Sequence, residues 1–250
     1  MPWADSRNTR LYYEVDGEGP AVLFAHGAGG NTASWWQQVP EFARTHRVIT
    51  FDHRGFGRST CAPEHFDPAQ FENDALAVLD AAGADRAAVV CQSMGGWTGV
   101  RLAVHHPSRV TKLVLANTPG AIHTEALIEQ MRTLGLPRPA GSDLTTFTLG
   151  EPFRRTQPAG TRLYRAISAF NVTPMPIDRL TRRESFVDSA RLKPFPVPVL
   201  MIASTHDVTF PLALLQATAR TIGARIEVVD GAGHSTYRGA FVVLRMPSTK

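Results

Sequence analysis

The stretch from Ala87 to Val100, AAVVCQSMGGWTGV, limits what this chain can fold into more than any other. An apolar, β-branched run passes directly into a serine, two glycines and a helix-like segment. A strand that turns sharply into a helix leaves one side chain exposed at the turn, and the strain there demands small neighbours. Ser93 holds the apex, Cys91 and Gly95 fill the small positions on either side, and Gly96 is expected to let the helix pack closely on its strand. The helix N-terminus directs free N–H groups and a partial positive charge at any anion that forms beside Ser93. Two nucleophiles therefore compete for the site, Cys91 and Ser93.

Short β-branched or apolar runs recur on both sides of this joint, at Leu11–Val15, Ala21–Ala25, Val48–Phe51, Lys112–Ala116, Val197–Ala203 and Ile226–Val229. The first two are joined by DGEGP and read as a hairpin. Helix-like segments fall between the others at Ser34–Thr45, Pro68–Ala82, Gly95–His105 and Pro211–Ile222. In the second of these, Phe71, Ala75, Val78, Leu79 and Ala82 share one face. Such alternation calls for an α/β fold, a mostly parallel sheet covered by helices on both faces. The rhythm breaks between residues 118 and 196, which carry many Pro and Arg, scattered helical stretches and no strong strand. This reads as an inserted helical cap, with residues 1–117 and 197–250 forming the core.

The cap also holds the charge. Ten Arg and one Lys stand there against seven acidic residues, whereas the rest of the chain has fifteen of each sign. No basic run interleaves with aromatics, so nucleic acid is not an expected partner. No apolar run approaches the roughly 20 residues of a membrane span. The start, MPWADSRNTR, lacks the pattern of a signal peptide. Two cysteines without metal-ligand spacing point to a reducing, cytoplasmic setting and to no metal site.

The joint CQSMGG resembles the nucleophile elbow, G-x-S-x-G, of the α/β-hydrolase fold family, with Cys in place of the first Gly. Three further segments carry the likeness. AVLFAHGAGGN is similar to the family's H-G-x-G-G loop, FDHRGFGRS to its D-x-R-G-x-G-x-S turn, and RIEVVDGAGHS to the loop that bears its base. The resemblance implies a Ser93, Asp207, His234 order for nucleophile, acid and base. The strand KLVLANTPG, where some members carry the acid, ends in Asn117 and Thr118 without a carboxylate, which favours Asp207. Asp230 is the alternative acid, expected instead to cap the GAGH turn. Oxyanion donors are implied at the backbone N–H groups of Ala28 and Met94, and His26 is expected to order its loop. The FDHRGFGRS turn is expected to be held by its Asp and Arg.

For the remaining residues the plain structural readings are set beside the functional ones. Cys91 is expected to be a small buried residue, since no His lies near it in sequence. His53, His65, His105, His106 and His206 read as structural, and Trp35, Trp36 and Trp97 as core or pocket wall. Gly27, Trp97 and His123 are candidates for the pocket lining. Arg154, Arg155, Arg162 and Arg165 are either solvated or turned inward to recruit an anionic substrate. The implied activity is hydrolysis of a small carboxylic ester or lactone without cofactor. C–C bond hydrolysis, perhydrolase or haloperoxidase chemistry, and a triad-bearing receptor stay open. After His234, residues 239–250 read as a short closing helix at best, which leaves a truncated end or a homo-oligomer open.

Overall fold

The computed structural model describes residues 2–134 and 145–235, and the closing helix expected at residues 239–250 lies outside them. Their strands are β1 (Trp3–Ser6), β2 (Thr9–Asp16), β3 (Ala21–Ala25), β4 (Arg47–Phe51), β5 (Ala87–Gln92), β6 (Val110–Ala116), β7 (Val199–Ser204) and β8 (Arg225–Val229). They form one eight-stranded sheet in the order β1-β2-β4-β3-β5-β6-β7-β8. From β4 to β8 in that order the neighbours run parallel, while β1–β2 and β2–β4 are antiparallel. Burial follows position: every residue of β5 is buried, whereas β8, at the edge, buries none fully.

Helices fill the connections as α1 (Gln38–Phe42), α2 (Phe71–Ala81), α3 (Gly95–His105), α4 (Glu125–Thr133), α5 (Thr145–Thr148), α6 (Glu151–Thr156), α7 (Pro158–Ser168) and α8 (Leu212–Ile222). The face of α2 expected to be apolar is buried, with Phe71, Ala75, Val78 and Leu79 fully inaccessible. Each large side chain so buried stabilises the fold by about 1.5–3 kcal/mol. Between β6 and β7 the described residues contain helices and 3₁₀ turns but no strand. Among the described residues no helix is long and apolar enough to cross a membrane.

Three local expectations are corrected. β2 and β3 do not form a hairpin; β4 lies between them, and β2 pairs with β4 over Tyr13–Asp16. The glycines of DGEGP serve a close crossing instead of a tight turn. A Cβ on Gly17 would lie 2.3 Å from the Ala43 carbonyl oxygen, and one on Gly19 2.7 Å from that of Thr45. The sheet's actual hairpin joins β1 to β2 through Arg7 and Asn8, with Arg7 at φ 46°. No glycine marks it in the sequence. The segment Ser34–Thr45 is not one helix but a 3₁₀ turn at Thr32–Trp35 followed by α1. Pro40 accounts for the break: it lacks an N–H and is tolerated in the first turn of α1 but not inside a longer helix. That break turns Trp36 to solvent, 49% exposed, while Trp35 is buried against Phe24.

The FDHRGFGRS turn is held as expected. Asp52 accepts the backbone N–H of Thr32 (2.6 Å) and of Arg58 (2.8 Å), joining this turn to the loop after β3. Arg54 grips Asp74 of α2 with two parallel bonds, Nε to Oδ2 at 2.6 Å and a terminal nitrogen to Oδ1 at 2.5 Å. Ser6 of β1 donates to the same carboxylate at 2.6 Å. Both ends of the ion pair are buried, so each charge is satisfied by the other and by such bonds, Arg54 also donating to the His65 carbonyl at 3.1 Å.

Candidate active site

The parallel strands β5 to β8 end on one side of the sheet, and the loops after β5, β7 and β8 carry Ser93, Asp207 and His234. Ser93 follows β5 directly, at φ 49°, a left-handed conformation that is strained for a serine. Close packing enforces it. A Cβ on Gly95 would fall 2.2 Å from the Ala25 carbonyl oxygen, so only glycine lets the start of α3 meet the end of β3. The task expected of Gly96 belongs to Gly99, whose missing side chain makes room for Cys91 Sγ at 2.3 Å. Gly96 instead clears Thr118 in the loop after β6, because that loop crosses the first turn of α3.

Ser93 Oγ lies 2.8 Å from His234 Nε2, and His234 Nδ1 lies 2.9 Å from Asp207 Oδ2. His234 and Asp207 are buried, while Ser93 stays partly open. Backbone N–H groups of Thr209 (2.8 Å) and Phe210 (2.9 Å) both donate to Asp207 Oδ1. That leaves Oδ2 to face the imidazole. A carboxylate can only accept there, so Nδ1 carries the proton and Nε2 is left as the acceptor toward the serine hydroxyl. Asp230 is exposed and takes the Thr205 hydroxyl at 2.9 Å, away from His234.

The loop after β3 approaches the same serine. A Cβ on Gly27 would meet Gln92 Oε1 at 2.1 Å and Ser93 Cβ at 2.9 Å, so this backbone abuts the elbow directly. His26 orders the loop from within. Its Nε2 accepts the His53 backbone N–H at 3.0 Å, which puts the ring proton on Nδ1, where it bonds the Gly27 carbonyl at 2.8 Å. Among the described residues the N–H groups of Ala28 and Met94 have no protein acceptor. Two free donors at a loop and a helix start beside a serine are what an oxyanion requires.

Cys91 is fully buried beneath α3, and that burial drives its thiol far above the ordinary range, with only the Gly99 N–H opposing it. It is therefore inert. Replacing Cys91 by Ala should leave kcat/KM within about twofold while costing about 1 kcal/mol of stability from the small cavity. Ester assays and a denaturant midpoint on the same preparation check both values. His53 is likewise buried, and desolvation, then the nearby His26 and Arg54, keep it well below the usual histidine range. It stays neutral, with Nε2 bonded to Thr98 at 2.8 Å.

The other candidate residues are dispersed. Trp97 is buried, and its Nε1 donates to the Leu180 carbonyl at 3.1 Å, tying α3 to the β6–β7 connection. His123 is exposed and packs edge-on against Phe186. Arg154 is half-buried, and Arg155, Arg162 and Arg165 are exposed. Among the described residues none of the four arginines bonds Ser93, Asp207 or His234. Several neighbours escaped sequence reasoning. Gln92 donates to the His234 carbonyl at 3.2 Å, Ser204 to the Gly233 carbonyl at 2.8 Å, and Asn117 to Asp207. Their only sequence signal is that each stands at the end of an expected strand.

The fold and the site together define an α/β hydrolytic enzyme, with a hydroxyl, an imidazole and a carboxylate linked in series at the strand ends. The chain belongs to the alpha/beta hydrolase fold family, whose model matches residues 20–238. A protein of Azorhizobium caulinodans that bears the name carbamate hydrolase RutD is 29% identical, over 94% of this chain and 92% of its own. The structure of an N-acyl homoserine lactone degrading enzyme superposes with a TM-score of 0.76 at 27% identity, over 95% of both chains. The enol-lactonase from Burkholderia xenovorans gives a TM-score of 0.74, also at 27% identity, over 94% of this chain and 93% of its own.

Proposed function

We propose that this hydrolase cleaves a small carboxylic ester or lactone through an acyl-Ser93 intermediate. The observation that carries the proposal is the unbroken relay from Ser93 Oγ through His234 to Asp207, at 2.8 and 2.9 Å. His234 Nε2 takes the hydroxyl proton as Ser93 Oγ attacks the carbonyl carbon. The oxyanion forms against the Ala28 and Met94 N–H groups, each worth about 3–4 kcal/mol to the transition state. Collapse expels the alcohol oxygen, which takes the proton from His234 Nε2 and leaves the acyl group on Ser93. His234 Nε2 then takes a proton from water as the water oxygen attacks the acyl carbon, and collapse breaks the bond to Ser93 Oγ, which recovers that proton from His234 as the acid leaves. Asp207 stabilises the imidazolium in both halves without itself becoming protonated. The likeness to two lactone-acting enzymes over nearly the whole chain supports the substrate class.

A second reading, hydrolysis of a carbamate, is favoured by the full-length likeness to the Azorhizobium caulinodans relative. The same relay serves it, with a carbamoyl group on Ser93 in place of an acyl group. Acid-quenching during turnover, followed by peptide mass spectrometry, tests both. Short p-nitrophenyl esters, γ- and δ-lactones and N-alkyl carbamate esters serve as substrates. An acyl adduct on Ser93, with esters or lactones turned over fastest, is expected. Carbamates turned over fastest would favour the second reading, and turnover without any Ser93 adduct would overturn both.

A further inference from the structure

Asp207 Oδ2 is shared. Besides the His234 ring it accepts a second hydrogen bond, from Asn117 Nδ2 at 3.0 Å. Asn117 is completely buried just beyond β6, and its φ of 50° lies in the left-handed region that favours Asn or Gly. Its own backbone N–H is tied to the Ile202 carbonyl of β7 at 2.8 Å, so the side chain is launched from a fixed point between two central strands. The other amide proton goes to Ser204 Oγ, which passes a hydrogen bond to the Gly233 carbonyl, one residue before His234. A single amide thus reaches the acid directly and the histidine loop through one hydroxyl.

Its acceptor is unused: Asn117 Oδ1 is buried and has no partner. An unpaired buried carbonyl costs about 1–3 kcal/mol. Glycine would meet the backbone requirement without that cost, so what the asparagine adds here is its two donors.

We propose that Asn117 is a positioning residue, whose side-chain amide holds Asp207 Oδ2 against His234 Nδ1 and takes up part of the carboxylate charge. Without it, Oδ2 would bear its charge toward the imidazole alone, and the imidazolium would be held more tightly. Other charges do not compete for this role. Phe210 packs on the ring, Gln92 bonds only the His234 carbonyl, and the nearby His206 and Asp230 are exposed. The inference rests on His234 acting as the base for Ser93.

Two variants remove the donors in different ways. Asn117→Gly keeps the backbone unstrained, and Asn117→Leu keeps the shape and keeps water out. In both, kcat should fall about 10- to 100-fold at unchanged KM, as for a base displaced by a fraction of an ångström. The acid limb of the kcat/KM profile should move upward by about half a pH unit, because the less compensated carboxylate stabilises the imidazolium. NMR titration of His234 in a Ser93→Ala background, where nothing turns over, should show the same upward shift. A thermal midpoint that falls while the limb and the NMR midpoint stay put would overturn the proposal and leave Asn117 a structural residue. Failure of the underlying reading has a different signature, namely hydrolysis that survives Ser93→Ala.

Discussion

Ser93→Ala should reduce kcat by about 10⁶-fold, because the relay then has no hydroxyl to deprotonate. What remains is the contribution of the oxyanion donors and of substrate binding, about 10³–10⁴ over water. The substitution is also expected to relieve little strain. Alanine at φ 49° is no better placed than serine, and the turn is enforced by the packing of Gly95 on Ala25 rather than by the side chain at the apex. The folded structure should therefore be retained, and circular dichroism with an unchanged melting midpoint would separate lost chemistry from lost fold. Single-turnover quench experiments on the same variant should yield no acyl-protein. Residual activity within about 100-fold of the parent would place the nucleophile elsewhere.

Asp207→Asn should cost about 10⁴-fold in kcat, for a reason specific to this site. Oδ1 accepts two backbone N–H groups, from Thr209 and Phe210. An amide introduced at this position must keep its oxygen there, which turns its NH₂ toward His234 Nδ1. That nitrogen would then have to accept, and the ring proton would move to Nε2, facing Ser93 with nothing to receive the hydroxyl proton. The incoming NH₂ would also face the Asn117 amide, donor against donor, across the 3.0 Å now bridged by a hydrogen bond. Asp230→Asn is the matching control, since its carboxylate is exposed and bound to Thr205. It should remain within about twofold of the parent. Steady-state kinetics on the pair check the assignment: near-normal turnover by Asp207→Asn together with loss in Asp230→Asn would exchange the two roles.

The elbow was readable because it is local. Strand, turn and helix follow one another within the stretch Ala87–Val100, and the glycines that permit the turn lie beside the serine that uses it. The hydrophobic face of α2 was readable for the same reason, as a periodicity within one element. The DGEGP segment shows where local rules fail. Its composition suits a tight turn, yet β4, 28 residues or more beyond Gly19 by the numbering, takes the place between β2 and β3. The glycines were chosen for clearance against Ala43 and Thr45, a requirement that exists only once the chain has crossed over itself. The arginines between residues 118 and 196 could not be placed either, because net charge in a segment says nothing about the direction of each side chain.

Short-range patterns of residue size and polarity in the sequence carried the α/β alternation and the strand–turn–helix joint at Ser93, while the chain order of hydroxyl, carboxylate and imidazole was implied by the resemblance of its motifs to the α/β-hydrolase family. Tertiary structure decided which donors surround the carboxylate. Asn117 and Asp207 lie 90 residues apart and meet because β6 and β7 are neighbours in register, with Ala116 opposite Ile202. The Asn117 position had signalled only a missing acid. The physical reason is that a hydrogen bond depends on distance and direction across strands, and neither is written in the spacing along one.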